Sequence, residues 1–283
     1  MEGGIITYCD ELIKKSIIEI RDFGSYPDSA RPRYSDGTEA KSKYITDVKM
    51  KFNVAAGQIP ISTLRPIYVN KGIEEMLWIY QDQTSALDKL EERGVTWWSP
   101  WALEDGTIGQ RYGQTVKNYD IVNRTLKLLE ENPFNRRSII SLWQYKDLDV
   151  PAKLPPCAFQ MMFDVRRVGG TLFLDGALTQ RSSDFLVAGM GINQMQYLAL
   201  QMAFAKHLNM QVGTFSWNVL NLHIYDRHFV QAQELLARAG SELEPKFFLD
   251  VPDGTNFYDV SASDFVLLDY SPVKPQLKFE LAE

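Results

Sequence analysis

The chain has 283 residues, of which 45% are hydrophobic and 23% charged, as in an ordinary globular protein. Its 30 lysine and arginine residues against 36 aspartate and glutamate residues leave a net charge of −6, which argues against a non-specific nucleic-acid-binding protein, because such proteins need a basic face. Two cysteines and three histidines are too few for a disulfide framework or a histidine-rich metal cluster, so we expect no bound metal.

Hydrophobic periodicity predicts helices and strands along the chain. Helices are expected over 8–22, 70–82, 119–131 and 193–208. Strands are expected over 48–54, 137–144, 158–168, 171–181 and 214–219. The polar segment 24–37 is predicted to be a loop, and Gly169-Gly170 a hairpin turn. This order predicts an α/β (α+β) fold over residues 1–283, with one mixed sheet flanked by helices. The chain has no G-x-G-x-x-G or Walker motif, which argues against a doubly wound nucleotide fold.

Targeting signals are absent from the sequence. Met1–Gly4 lacks the basic and apolar segments of a secretory signal, and no apolar run approaches the ~18 residues of a transmembrane helix. We therefore expect a cytoplasmic protein with reduced thiols and no membrane partner.

Cys157 is the first candidate for chemistry. It follows Leu154-Pro155-Pro156 and precedes an apolar stretch. A cysteine becomes a strong nucleophile when nearby cations lower its pKa and so favour the thiolate. The alternative is a cysteine that only fills space in the core.

Arginines occur at two places that suit anion binding. Charged and hydroxyl groups crowd the end of an apolar strand in Gln180-Arg181-Ser182-Ser183-Asp184, and Arg136-Arg137 follow Asn132-Pro133. A guanidinium can hold a phosphate with two parallel hydrogen bonds. The alternatives are a surface turn with an Arg–Asp pair and a solvated pair of arginines.

Three further groups could face a ligand. His223 and Tyr225 alternate on one face of an extended segment, unless the histidine belongs to the core. Glu75 in an apolar helix could have a raised pKa, or it could lie on the helix surface. The aromatics of 97–101 and 111–113 could stack on a flat cofactor or pack in the core.

The order of these residues resembles the folate-dependent thymidylate synthase family. The elements that carry the resemblance are Glu75, Trp98, Tyr112, Arg136-Arg137, Pro156-Cys157, Gln180-Arg181-Ser182-x-Asp184, Asn193-x3-Tyr197 and His223-x-Tyr225. The resemblance covers nearly the whole chain, from the first helix to a closing strand over 277–281. It implies a single catalytic domain that forms a homodimer through its sheet.

The resemblance also implies a reaction. A one-carbon unit from 5,10-methylenetetrahydrofolate is transferred to C5 of dUMP and reduced, giving dTMP and dihydrofolate. Addition of the Cys157 thiolate to C6 makes C5 nucleophilic. By position, the residues implied in catalysis are Cys157, Glu75 as a proton relay, Tyr112 near the C5 proton, Arg181 beside the sulfur, Asp184 and Asn193.

Binding roles follow from the same resemblance. Asn193 would read the base, because an amide can both donate to and accept from uracil, whereas dCMP-specific relatives have an aspartate there. The other implied substrate ligands are Arg31 or Arg33, Gln180, Arg181, Ser182, His223, Tyr225, and Arg136 and Arg137 reaching into the partner's site. The implied folate contacts are Arg65, Trp98, Trp101, Asp184 and Gly189.

Departures from the family pattern favour a second reaction. Leu220-Asn221 stand where Gly-Asp is usual, and 189–193 replaces Gly-x-Pro-Phe-Asn. Together with 217–219 and 225–229, these changes look closer to phage nucleotide hydroxymethylases. A dUMP 5-hydroxymethylase, in which water traps the methylene intermediate, is therefore the alternative. A third hypothesis is a non-enzymatic regulator that binds nucleotide or RNA.

Overall fold

The computed structural model describes residues 6–282, so the segment Met1–Gly4 used above lies outside it. The strands are β1 (Ser42–Asn53), β2 (Ile139–Ser141), β3 (Ala158–Val168), β4 (Thr171–Asp184), β5 (Gln211–Tyr225), β6 (Lys246–Leu249) and β7 (Phe265–Leu268). The α-helices are α1 (Tyr8–Phe23), α2 (Val69–Leu77), α3 (Leu87–Glu92), α4 (Gly113–Asn118), α5 (Ile121–Glu131), α6 (Tyr145–Leu148), α7 (Ile192–His207) and α8 (Phe229–Ala237).

The first five strands form one sheet in the order β1-β5-β4-β3-β2. Neighbours pair antiparallel except β4 and β5, which are parallel. The short strands β6 and β7 pair with each other outside this sheet. The predicted mixed sheet with flanking helices is thus confirmed.

Helix α1 shows how local sequence sets an element's ends. Thr7 Oγ1 accepts a hydrogen bond from the backbone N–H of Asp10 and so caps the first turn. Asp10 and Glu11 lie in that turn, where a helix favours negative charge. The apolar side chains Ile13 and Ile17 face the core.

Helix α7 is the central element of the core. Side chains on nearly all of its faces are buried, so it has no polar stripe. Phe204 stacks on Phe163 of β3 with ring centroids 5.3 Å apart, and it also packs edge-on against Phe257 at 5.2 Å. Gly191 immediately before the helix has φ +143°, a value that favours glycine.

The opposite face of the sheet carries the outward-pointing residues of the same strands. A shallow groove of about 300 Å³ lies there, bordered by Arg136, Met162 and Ser216. Met162 is 36% exposed. Within residues 6–282, no helix is long and apolar enough to span a membrane.

One predicted strand is absent from the structure and another is shorter than predicted. The segment 277–281 is not a strand, because side chains rather than a neighbouring strand bind its backbone: Gln231 donates to Lys278 O and His228 bonds Glu280 O. Strand β2 is shorter than the predicted 137–144. Just before it, Asn135 Oδ1 accepts hydrogen bonds from the backbone N–H of Arg137 and from Ser138 Oγ, so these two residues do not join the strand.

Candidate active site

One cleft of about 490 Å³ gathers residues at the carboxyl ends of β4 and β5. Because these strands are parallel, their ends meet at one edge of the sheet, where Asp184 pairs with His223. Strand β3 runs antiparallel to β4, so its start brings Cys157 to the same edge. The sequence-predicted residues that line the cleft are Arg31, Trp101, Cys157, Arg181, Ser182, Asp184, His223 and Tyr225.

The Cys157 thiol lies beside an arginine. Its Sγ is 3.4 Å from Nη2 of Arg181, whose guanidinium also donates to the carbonyls of Pro156 (2.9 Å) and Pro155 (3.0 Å). Burial raises the pKa of Cys157, and Arg181 only partly opposes this. The sequence suggested that cations lower this pKa; in the free protein the desolvation of the sulfur outweighs them, so the thiol is favoured.

Tyr112 is held in a strained backbone conformation next to Cys157. Its φ is +49°, unusual for a residue with a side chain. The following residue must be Gly113, because a Cβ there would be 2.2 Å from Thr84 O. The Tyr112 hydroxyl accepts a hydrogen bond from the backbone N–H of Cys157 at 3.4 Å. The structure therefore brings this phenol to the thiol.

Glu75 is a buried carboxyl on α2, with 7% of its surface exposed. Burial raises its pKa to about 7, while a hydrogen bond from Trp97 favours the ionised form. Trp97 donates its indole N–H to the carboxylate. Sequence reasoning named Trp97 only as an aromatic ring and missed this role.

A chain of amides fixes the side chain of Asn193. The indole of Trp217 donates to Gln180 Oε1, and Gln180 Nε2 donates to Asn193 Oδ1 at 3.1 Å. Asn193 Nδ2 in turn donates to Gln196 Oε1 at 3.1 Å. Gln196 was not predicted, although its position three residues after Asn193 puts it on the same helix face.

His223 is neutral at physiological pH. Burial lowers its pKa to about 4, and its Nδ1 is 2.9 Å from Asn221 Oδ1. With the Nδ1 proton directed to Asn221, Nε2 is left as an acceptor for a ligand hydroxyl. Tyr225 packs edge-on against this ring, with centroids 5.1 Å apart. Asn221, which departs from the family pattern, therefore orients the His223 ring and fixes which nitrogen carries the proton.

Trp101 lines one wall of the cleft, and further aromatic rings pack behind it. Trp98 packs edge-on against Trp101 (5.6 Å), Tyr112 (5.0 Å) and, tilted, Trp78 (6.5 Å). Trp143 lies with its ring centre 5.8 Å from Cζ of Arg181. With Trp97 and Trp217, these account for all six tryptophans of the chain.

Two buried polar atoms beside this wall lack protein partners, Asp184 Oδ1 and Trp98 Nε1. Burial raises the pKa of Asp184 to about 7. Gly189 lies close by, where a Cβ would be 3.0 Å from Ser183 Oγ. An acceptor, a donor and neighbouring aromatic rings together suit a flat, nitrogen-rich heterocycle.

Arg65 is not placed as predicted. It is 4% exposed and does not line the cleft. Its Nη2 donates to the carbonyls of Leu186 (2.6 Å) and Val187 (2.9 Å), and its ring neighbour is Phe279. Its Nη1 and Nη2 bind protein carbonyls, so Arg65 holds the turn after Asp184, and its folate contact stays a prediction.

Of the other arginines predicted to bind substrate, only some lie at the cleft. Arg31 lines the cleft, whereas Arg33 pairs with Glu39 of its own loop at 3.2 Å. Arg136 borders the groove on the opposite sheet face and Arg137 is exposed, so neither reaches the cleft of its own chain.

Some lining residues were missed by sequence reasoning. Lys153, Leu154, Pro100 and Ala282 also border the cleft. Lys153 lies four residues before Cys157, which could have signalled it; Ala282 gave no signal. Among the residues described, no group of three or more His, Cys, Asp or Glu side chains is arranged to hold a metal.

Comparisons with known proteins agree over nearly the full length. A family profile described as Thymidylate synthase matches residues 15–283. The chain is 55% identical to a thymidylate synthase of Streptococcus suis and 54% to one of Lactococcus lactis, covering 98% of this chain and 100% of each relative. The solved structure of thermostable thymidylate synthase A from Bacillus subtilis superposes with a TM-score of 0.86 at 30% identity, covering 97% of this chain and 99% of that one.

Proposed function

The chain belongs to the thymidylate synthase family, and from this membership we propose that it converts dUMP to dTMP with 5,10-methylenetetrahydrofolate. The observation that carries the proposal is the Cys157 thiol 3.4 Å from Arg181, in a cleft that also holds Arg31 and Asp184. Relatives at 55% identity are named for the synthase, so neither the hydroxymethylase nor the non-enzymatic alternative is favoured.

The aromatic wall fits a folate. The unpartnered Asp184 Oδ1 and Trp98 Nε1 would face the pterin ring, with Trp101 beside it and Gly189 allowing close approach. When bound, methylenetetrahydrofolate supplies the one-carbon unit and the hydride.

Cys157 is the nucleophile of the proposed reaction. Its sulfur adds to C6 of the uracil ring, which places an electron pair on C5. Because burial favours the thiol, the positive charge of Arg181 is needed as the sulfur loses its proton. Arg181, Arg31 and Ser182 would hold the phosphate of the nucleotide.

The base and sugar are read by fixed polar groups. Asn193 is oriented by Gln180 and Gln196, so its amide presents a defined pattern that favours uracil over cytosine. Neutral His223 and Tyr225 would bind the sugar hydroxyl.

Two buried acids handle protons in this proposal. Glu75, with its pKa near 7, can both take and return a proton near neutral pH. The Tyr112 hydroxyl, fixed beside Cys157, would lie near the carbon that must lose its C5 proton.

The outer sheet face is the proposed dimer interface. It exposes Met162 and carries Arg136, whose position away from its own cleft supports a role in the partner's site, together with Arg137. Residues 1–283 would form one catalytic domain, consistent with a family match over 15–283. A cytoplasmic location would keep the free thiol of Cys157 reduced, as a nucleophile must be.

Product identification tests the proposal. With dUMP and methylenetetrahydrofolate, mass spectrometry should show dTMP and dihydrofolate. The Cys157→Ser variant should give no product yet still bind dUMP. Hydroxymethyl-dUMP with tetrahydrofolate would instead assign the alternative reaction.

A further inference from the structure

Arg227, in the turn after β5, joins two segments that are distant in sequence. Its Nη2 donates to Asp36 Oδ2 and to Thr38 Oγ1, both at 2.7 Å. Its Nη1 donates to both carboxylate oxygens of Glu280, at 2.9 and 3.1 Å. One guanidinium therefore bridges the loop 24–41 and the segment 276–282.

An aromatic ring also packs against one face of the Arg227 guanidinium. Its Cζ lies 4.0 Å from the ring centre of Tyr34. Tyr34 is only 3% exposed, and its hydroxyl donates to Asp226 at 2.5 Å, so this ring is a fixed platform. A planar fork on an aromatic face is a geometry that lysine cannot reproduce.

Both bridged segments form walls of the cleft. The loop contributes Arg31, and the C-terminal segment contributes Ala282. Glu280 itself does not line the cleft; it borders a neighbouring pocket with Arg33 and Ser35. Ser35 Oγ also donates to the Glu280 carboxylate at 3.3 Å.

We propose that Arg227 is a positioning residue that couples the loop carrying Arg31 to the C-terminal segment, so that a phosphate bound at one wall orders the other. The proposal rests on the proposed function only in taking the cleft as a phosphate-binding site.

Stability alone does not explain the arrangement. The side chains of Arg227, Asp36 and Glu280 are 37%, 51% and 36% exposed, and exposed ion pairs contribute little to folding. Removing Arg227 should therefore leave the melting temperature nearly unchanged, while two carboxylates lose their shared cation and the two walls separate.

Hydrogen–deuterium exchange tests the coupling without turnover. In the wild-type protein, saturating inorganic phosphate should slow exchange in both 31–38 and 276–282, about fivefold or more. In Arg227→Ala, phosphate should protect 31–38 but no longer 276–282. Arg227→Lys should transmit less protection than the wild type.

Kinetics provide a second readout. Glu280→Ala, outside the cleft, should raise KM for dUMP about tenfold with a smaller change in kcat, as should Arg227→Ala. The double variant should be no worse than either single one. Lys246→Ala, which breaks an exposed pair with Asp269 at 2.8 Å, is the matched control and should change neither constant.

The coupling is refuted if phosphate protects 276–282 equally in Arg227→Ala, or protects only 31–38 in the wild type. Additive effects of Arg227→Ala and Glu280→Ala on KM would also contradict it. If no dTMP forms but phosphate still protects both segments through Arg227, the proposed function fails and this inference stands.

Discussion

At the residue scale, burial reduces the charge on the acidic and imidazole groups of the candidate site. It raises the pKa of Glu75 and Asp184 to about 7 and lowers that of His223 to about 4. The positive charges of Arg31 and Arg181 are therefore not offset by full negative charges nearby. An anionic nucleotide meets a cleft whose net field attracts it.

Trp97→Phe tests how the hydrogen bond from Trp97 sets the pKa of Glu75. Removing the indole donor removes a hydrogen bond that favours the carboxylate, so the pKa of Glu75 should rise and its limb in the kcat/KM–pH profile should move up by about 1 pH unit. The other polar groups that face the carboxyl are the hydroxyls of Tyr112 and Tyr197, which this substitution leaves in place.

The control for this shift is Trp78→Phe. It removes an indole donor from the same aromatic cluster, but that indole donates to Ala86 O and not to Glu75. A limb that stays in place in Trp97→Phe, or moves equally in both variants, would contradict the assignment.

At the element scale, a side chain of α7 satisfies backbone carbonyls at an irregularity in the sheet. The register between β4 and β5 shifts between Leu174 and Gly176. Buried Gln201 of α7 donates to Leu174 O at 2.8 Å and to Thr214 O at 3.0 Å, which satisfies the carbonyls at the shift.

Gln201→Leu should therefore destabilise the fold. It leaves two buried carbonyls without a donor, and we expect the free energy of unfolding in urea to fall by about 2 kcal/mol. Gln233→Leu, at an exposed position of α8, is the matched substitution and should change it by under about 0.5 kcal/mol. Equal effects of the two substitutions would show that Gln201 has no special role.

Sequence patterns predicted the elements whose periodicity is local. The structure places β3 over the predicted 158–168, and its side chains alternate between buried and exposed from Met161 to Arg166. Strand β5 is longer than the predicted 214–219, because the regular alternation stops at the exposed Leu220 while the strand continues to Tyr225. The segment 277–281 was wrongly predicted as a strand, because a strand needs a paired edge, which sequence does not reveal.

The residues of the site likewise divide into those that sequence could predict and those that it could not. Motifs in chain order predicted Cys157 and Arg181, which the structure brings together. Partners such as Trp97, 22 residues from Glu75, and Trp217, 37 residues from Gln180, exist only once the chain is folded.

At the scale of the whole molecule, the sheet has a covered and an open face. The helices bury one face, and the groove with Arg136 and Met162 marks the other. If the open faces of two copies meet, each cleft needs residues from both chains.

Mixing two inactive variants tests this arrangement. Cys157→Ser and the double variant Arg136→Ala/Arg137→Ala should each be inactive alone. After they are unfolded together and refolded, about a quarter of wild-type activity should return, because half the dimers are mixed and each has one intact site. Each variant refolded alone is the control. No recovery on mixing would show that the arginines do not serve a neighbouring chain.

The clustering of every tryptophan around the cleft has an optical consequence. Each indole contacts either a predicted site residue or another indole, so none lies in a remote part of the core to contribute constant background emission. Intrinsic ultraviolet fluorescence of this protein is therefore a label-free signal of what occupies the cleft.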